Sequence, residues 1–277
     1  MNAPIYRLLN KYIPNFVSIL KPKEKQLSEI YNTFLEYENN IRKEYPFGED
    51  IQTNGSLAAY LYILETHPQE RVVSILKYLD NICNNLNSTL NEKQLSSVRK
   101  EILLPMIKVP NPKQSRFSTA LGEISVLNSI IANRNATFKQ CEFKLPNNKN
   151  IDLSFDIKGK DIFVEIVNIL DVKSNLLENL TDMHSFFDHR LLGKLRNKLE
   201  NLDLNKYLIF LQPVIWGDID KLLIFKSFFD DYQKKSPNIL NFTLIGEYRT
   251  KETNELIFAY RTIKERFIEL ENYIVNP

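Results

Sequence analysis

Glycine is scarce in this chain, with seven in 277 residues, and no two stand close enough to form a G-x-G or a G-x-x-x-x-G-K loop. The phosphate-cradling turns of Rossmann and Walker-type sites are therefore excluded. Cysteine is scarcer still: Cys83 and Cys141 make no C-x-x-C pair, so neither a structural zinc nor a disulfide framework is expected. A chain so poor in cysteine suits a reducing cytoplasm. The three histidines form no H-E-x-x-H pattern, which counts against a zinc hydrolase. Long apolar runs are missing as well. The longest stretch without a charge, Ile51 to Leu64, holds Gln, Thr, Asn, Gly and Ser, so no bilayer span is expected, and Arg7, Lys11 and Pro14 interrupt the first apolar residues, so no leader segment is expected. An excess of one charge is the last absence. With 36 Lys+Arg against 34 Asp+Glu the formal balance is +2, so a polyanion could be held only by a local patch.

What is present divides into two patterns. Residues 1–112 read as an all-helical domain, because apolar residues recur at helical spacing, as in Leu27, Ile30, Tyr31, Phe34, Ile41 and Tyr45. Further helices are expected over 56–66, 69–86 and 91–108. The segment Val109-Pro110-Asn111-Pro112-Lys113-Gln114-Ser115 loses two backbone donors and biases the residues before each proline away from helix, so the boundary is placed there. Residues 113–277 then read as an α/β domain, a mixed sheet flanked by helices. Ser118 is in position to cap a helix with the stripe Leu121, Ile124, Leu127 and Ile131. Strands are expected at 137–144, 151–157 and 162–168, the last two joined by the turn 158–161. A helix over 184–202, a buried strand at 207–212, a helix near 219–234, strands near 242–248 and 255–260, and a final helix to Ile274 complete the order.

The chemistry-bearing residues cluster in the second part. Strand 151–157 alternates strictly, with Asp152, Ser154 and Asp156 on one face. If residues 158–161 close the turn, Ser154 faces Glu165, and both aspartates become its diagonal neighbours, about 7 to 8 Å away. Asp152 and Asp156 then stand as equal candidates. Glu165 interrupts a strand that is otherwise apolar on both faces, and a carboxylate there is costly unless paired or metal-bound. Glu123, beside Gly122, offers a third carboxylate. Arg190, Lys194 and Lys198 repeat at four-residue steps, a basic stripe opposite Leu191, Leu195, Leu199 and Leu202. Hard oxygen ligands of this kind suit Mg²⁺. His184, His189, Trp216 and the aromatic residues Tyr207, Phe210, Phe228, Phe229 and Tyr232 read more simply as surface or packing groups.

The run Ala120-Leu121-Gly122-Glu123, the strand opened by Ile151-Asp152, the strand Phe163-Val164-Glu165-Ile166-Val167, the basic helix and the strand Tyr207-Leu208-Ile209-Phe210-Leu211-Gln212 resemble the PD-(D/E)xK nuclease superfamily. The resemblance covers roughly residues 115 to 260 and includes the order of elements. It implies a restriction endonuclease-like fold, with Mg²⁺ or Mn²⁺ held by Glu123, Asp152 and Glu165, and hydrolysis of phosphodiester bonds in nucleic acid, DNA rather than RNA. Two positions depart from the motif. Ile151 replaces the proline, and Val167 stands where the motif lysine belongs. Lys194 or Lys198 on the next helix is then the source of the displaced charge, with Arg190 beside them as a backbone-binding cation. Asn168 is a poor substitute, because strand alternation sends it to the other face.

The competing reading is a nuclease-fold module that binds nucleic acid or protein without cutting, its helical domain serving as a face for a protein partner or a second copy. Val167 motivates it, together with a charge balance of 14 basic and 12 acidic groups over residues 1–115 and 22 of each beyond. A sugar or nucleotide hydrolase using the same carboxylates has no supporting motif.

Overall fold

The computed structural model describes residues 4–44, 56–66, 69–107, 116–132, 136–170, 180–203, 206–216, 226–250 and 253–262. By their contacts the residues fall into two units, Met1–Asn128 with Arg249–Phe258, and Ser129–Tyr248 with Ala259–Pro277. The expected linker 109–115, the division after residue 112 and the final helix to Ile274 lie outside the described residues. No helix among the described residues is long and apolar enough to cross a membrane.

The N-terminal region is helical: α1 (Pro4–Tyr12), α2 (Pro14–Leu20), α3 (Glu24–Glu44), α4 (Leu57–Thr66), α5 (Glu70–Thr89), α6 (Glu92–Val98) and α7 (Leu104–Ile107). Leu9, Ile13, Phe16, Leu61, Leu76 and Leu79 are fully buried in its core. Pro14 opens α2, where its missing N–H costs nothing. The next two amides of α2 are satisfied from another helix, since Asp80 Oδ1 accepts from Asn15 N at 2.7 Å and Phe16 N at 3.3 Å. Asn91 and Gln94 form a reciprocal capping box at α6. A π-helical turn, Arg99–Leu103, separates α6 from α7 within what the apolar spacing predicts as one helix. Helix α8 (Phe117–Ile131) starts one residue before Ser118, which is therefore inside the helix rather than its cap.

The rest is α/β. Strands β1 (Ala136–Lys144), β2 (Asn150–Ile157), β3 (Lys160–Ile169), β4 (Leu208–Trp216), β5 (Thr243–Arg249) and β6 (Leu256–Thr262) form one sheet in sequence order. The sheet is mixed: β1–β2 and β2–β3 are antiparallel, while β3–β4 and β4–β5 are parallel. A parallel step needs a crossover. Helix α9 (Leu180–Phe187), a π-helical turn (Asp188–Leu192) and α10 (Gly193–Leu199) supply it between β3 and β4, and α11 (Lys226–Lys235) lies between β4 and β5. On β3 the run Phe163–Val167 is buried throughout, and Leu211, Val214 and Ile215 of β4 are fully buried beside it. Such continuously buried strands, apolar at these positions apart from Glu165, are what a sheet covered on both faces requires.

The β2–β3 turn differs from the expected one. Ile157 pairs with Lys160 and Asp156 with Asp161, so the loop is two residues, Lys158 and Gly159, not four. Both have positive φ, 54° and 78°. That is the left-handed pair of a type I′ turn, whose twist matches the strands it joins. Asp156 Oδ1 accepts from Gly159 N at 2.9 Å and fixes the turn.

Candidate functional site

The shorter turn moves the partner of every residue on β2. The ladder runs Ser154 to Phe163 and Leu153 to Val164, and one further step sets Asp152 across from Glu165. The expected pairing of Ser154 with Glu165 is thus replaced, and the two aspartates are not equivalent. The ladder stops where Asp152 begins. Its Oδ2 accepts the Ile166 N–H at 2.6 Å, a side chain taking the place of the β2 backbone. Asp156 is drawn to the hairpin end, where Lys139 bridges it at 3.8 Å and also bonds Asp161. Ser154 is buried and donates to Gln140 O at 3.1 Å.

Glu165 is 1% exposed, the only acidic residue buried so deeply among the described residues. Two ammonium groups meet it. Lys194 Nζ lies 2.8 Å and Lys198 Nζ 3.0 Å from the same oxygen, Oε1. Each lysine also donates to a strand carbonyl: Lys194 to Ile166 O at 3.0 Å, Lys198 to Asn150 O. The lysines differ in access, with side chains 37% and 17% exposed respectively. Their shared face follows from the helical repeat, which puts residues four apart on one side of α10. Leu195 is buried on the same helix.

The electrostatics are those of a crowded, poorly hydrated cluster. Asp152 is half-buried, and its carboxyl is pushed up to about 7, first by burial and then by the neighbouring charge of Glu165. Lys194, the Ile166 N–H and Lys198 pull the other way without cancelling the rise. Glu165 Oε2 is buried and makes no hydrogen bond. An orphaned buried acceptor costs about 1–3 kcal/mol, more when charged. Hard carboxylate oxygens at this place fit a magnesium-like ion, which takes one or two carboxylates and keeps several waters. No group of three His, Cys, Asp or Glu able to hold a metal occurs among the described residues. The carboxylates brought together here are two, Asp152 and Glu165.

The remaining candidates fall as follows. Glu123 is on α8, half-buried, in the first unit. Arg190 lies in the π-helical turn and is exposed. The extra residue of that turn breaks the four-residue step linking it to Lys194. Val167 is 5% exposed, so its position is core. Asn168 accepts from Trp216 Nε1 at 3.1 Å, which ties the ends of β3 and β4. Phe187, Phe228, Phe229, Tyr232 and Phe242 pack as one buried aromatic cluster. His184 is exposed but sets its ring edge against Phe228, 4.4 Å between centroids, and His189 is exposed. Tyr207 packs on Phe163.

Sequence reasoning missed Asn147 and Lys149. Both lie in the turn between β1 and β2, and both bond the end of α10. Their partners are some fifty residues away, so local spacing carries no signal for them.

No family model, curated protein or solved structure matches this chain. The site's chemistry therefore rests on its own geometry.

Proposed function

We propose that this protein is a divalent-metal-dependent nuclease that hydrolyses phosphodiester bonds, of DNA in preference to RNA, on a restriction endonuclease-like core. The observation that carries the reading is the nearness of the Asp152 and Glu165 carboxylates on adjacent strands, just past the end of their ladder, with an unbonded, buried Glu165 Oε2 and two lysines on the neighbouring helix. The order helix, three antiparallel strands, basic helix and parallel strand supports it. Mg²⁺ or Mn²⁺, when bound, lowers the pKa of a water and offsets charge on the phosphate. Asp152 and Glu165 are the residues to hold it. On this reading Lys194, the more exposed lysine, meets an incoming phosphate, and Arg190, which is exposed, contacts the backbone further along. The preference for DNA comes from the family resemblance alone.

The test is purified protein with Mg²⁺ or Mn²⁺ and plasmid, linear or branched DNA. Wild type should cut, and Asp152→Ala and Glu165→Ala should not. Cutting by both variants at the wild-type rate overturns the reading.

A second reading has its own observation. Both ammonium groups already serve Glu165 and strand carbonyls, and Val167 supplies no charge. On that reading the fold binds nucleic acid or protein without cutting. Calorimetry with Mg²⁺ separates the two, because a site that has lost its chemistry should also have lost the ion.

A further inference from the structure

The last turn of any α-helix leaves four carbonyls without helical partners. In α10 two of them, and the carbonyl of the capping residue Glu200, are answered from the β1–β2 turn. Asn147 Nδ2 donates to Lys198 O at 3.0 Å and to Glu200 O at 2.8 Å. Lys149 Nζ donates to Asn197 O and pairs with the Glu200 carboxylate at 2.7 Å. A cation at a helix C-terminus also complements the helix dipole.

The turn is itself rigid. Leu145 N bonds Lys149 O at 2.8 Å and Asn148 N bonds Leu145 O at 3.0 Å, with Pro146 fixing φ between them. Asn148 takes the left-handed conformation, φ 63°. Asn147 is held from its other end, its Oδ1 accepting from Lys149 N at 3.2 Å.

Lys198 is consequently gripped twice by one short segment. Its backbone carbonyl is bonded by Asn147, and its ammonium is bonded by Asn150 O, at the start of β2. Two residues on from Asn150 stands Asp152. The segment that aims the lysine helix is continuous with the strand that carries one carboxylate.

We infer that Asn147 and Lys149 are positioning residues. They lock the C-terminal end of α10 to the start of β2, and so hold Lys198, and with it Glu165, in register with Asp152. The inference rests on the nuclease reading for its effect on rate, but its structural half stands apart from that reading. The two are tested by different measurements.

Asn147→Asp keeps the shape and the acceptor while replacing the donor with an oxygen that repels both carbonyls. Lys149→Met keeps the stem and removes the charge, and serves as an independent second variant. The first measurement is amine acetylation by a water-soluble N-hydroxysuccinimide ester, followed residue by residue by mass spectrometry on the full-length protein. Lys198 should label slowly in the wild type and severalfold faster in either variant, while Lys25 labels equally in all three. The second measurement is DNA cleavage with Mg²⁺. Loss of a supporting hydrogen-bond partner should lower kcat by about 10- to 100-fold, with KM little changed. Unchanged labelling of Lys198 in both variants overturns the clamp. Faster labelling with an unchanged kcat, or with a loss confined to KM, overturns its positioning role. Faster labelling in a protein whose wild type cuts no DNA upholds the clamp and removes the nuclease reading.

Discussion

At the scale of single residues, the site turns on one buried carboxylate. Glu165 at 1% exposure is held by Lys194 and Lys198 on one oxygen. Breaking a buried pair outright costs about 3–5 kcal/mol, but here a second lysine remains after either is removed. Lys194→Met and Lys198→Met should each therefore cost about 1–2 kcal/mol, and the double variant should cost more than their sum, because only then is Glu165 left unpaired. Urea unfolding of the three variants measures it. Asp152 gives a pH dependence with the opposite sign to that of a salt-bridged aspartate. Its carboxyl sits near 7 in the folded protein against an ordinary 3.8. Between those values the folded form holds a proton that the unfolded chain has lost. Its contribution to stability should thus be fullest below about pH 4, decline as pH rises toward 7, then level off, at up to about 1.4 kcal/mol per pH unit. Metal-free urea midpoints taken across this range should slope downward in the wild type and lie flatter in Asp152→Asn. Much of this site was legible beforehand. A carboxylate inside an apolar strand and lysines four apart on the next helix are local patterns, and local patterns survive without a structure. The choice between Asp152 and Asp156 was not, because it depends on which residues close a turn.

At the scale of elements, that turn does the selecting. A four-residue loop would set Asp152 and Asp156 symmetrically about Glu165, whereas the two-residue loop sets Asp152 across from it and sends Asp156 to the hairpin end. The local sequence Lys158-Gly159 lacks the asparagine that usually signals a type I′ turn, so the positive φ at Lys158 was hidden. Lys158→Asn should relieve that conformation and raise stability by about 0.5–1 kcal/mol. Gly159→Ala should lower it by about 1–2 kcal/mol, the cost of φ 78° for a residue with a Cβ, although nothing lies within 4 Å of the added methyl. Asp156→Asn provides a control for the site: thermal melting should shift slightly, and cleavage of DNA should stay at the wild-type rate. The strands and most helices followed from periodicity to within a few residues. The π-helical turns at Arg99–Leu103 and Asp188–Leu192 did not, since one inserted residue alters phase without altering composition.

At the scale of the whole molecule, a formal charge of +2 offers little long-range attraction for a polyanion. Binding through Arg190, Lys194 and Lys198 alone should give a salt dependence no steeper than a slope of about −3 in log K against log salt. Fluorescence anisotropy with Ca²⁺ in place of Mg²⁺ would read it, and a much steeper slope would require a basic surface elsewhere. The sequence suggested two consecutive domains. By contact, residues 249–258 group with the first 128. Glu70 accepts the Leu256 N–H at 3.1 Å and lies 3.8 Å from Arg249, and Tyr78 packs edge-on to Phe258. A helical unit finished by a segment so late in the chain cannot be completed as soon as its own helices leave the ribosome. About 130 more residues must be added first, on the order of 7 to 26 seconds at typical elongation rates of ~5–20 residues per second. During that interval the face of α5 that carries Glu70 and Tyr78 waits for the segment that completes it.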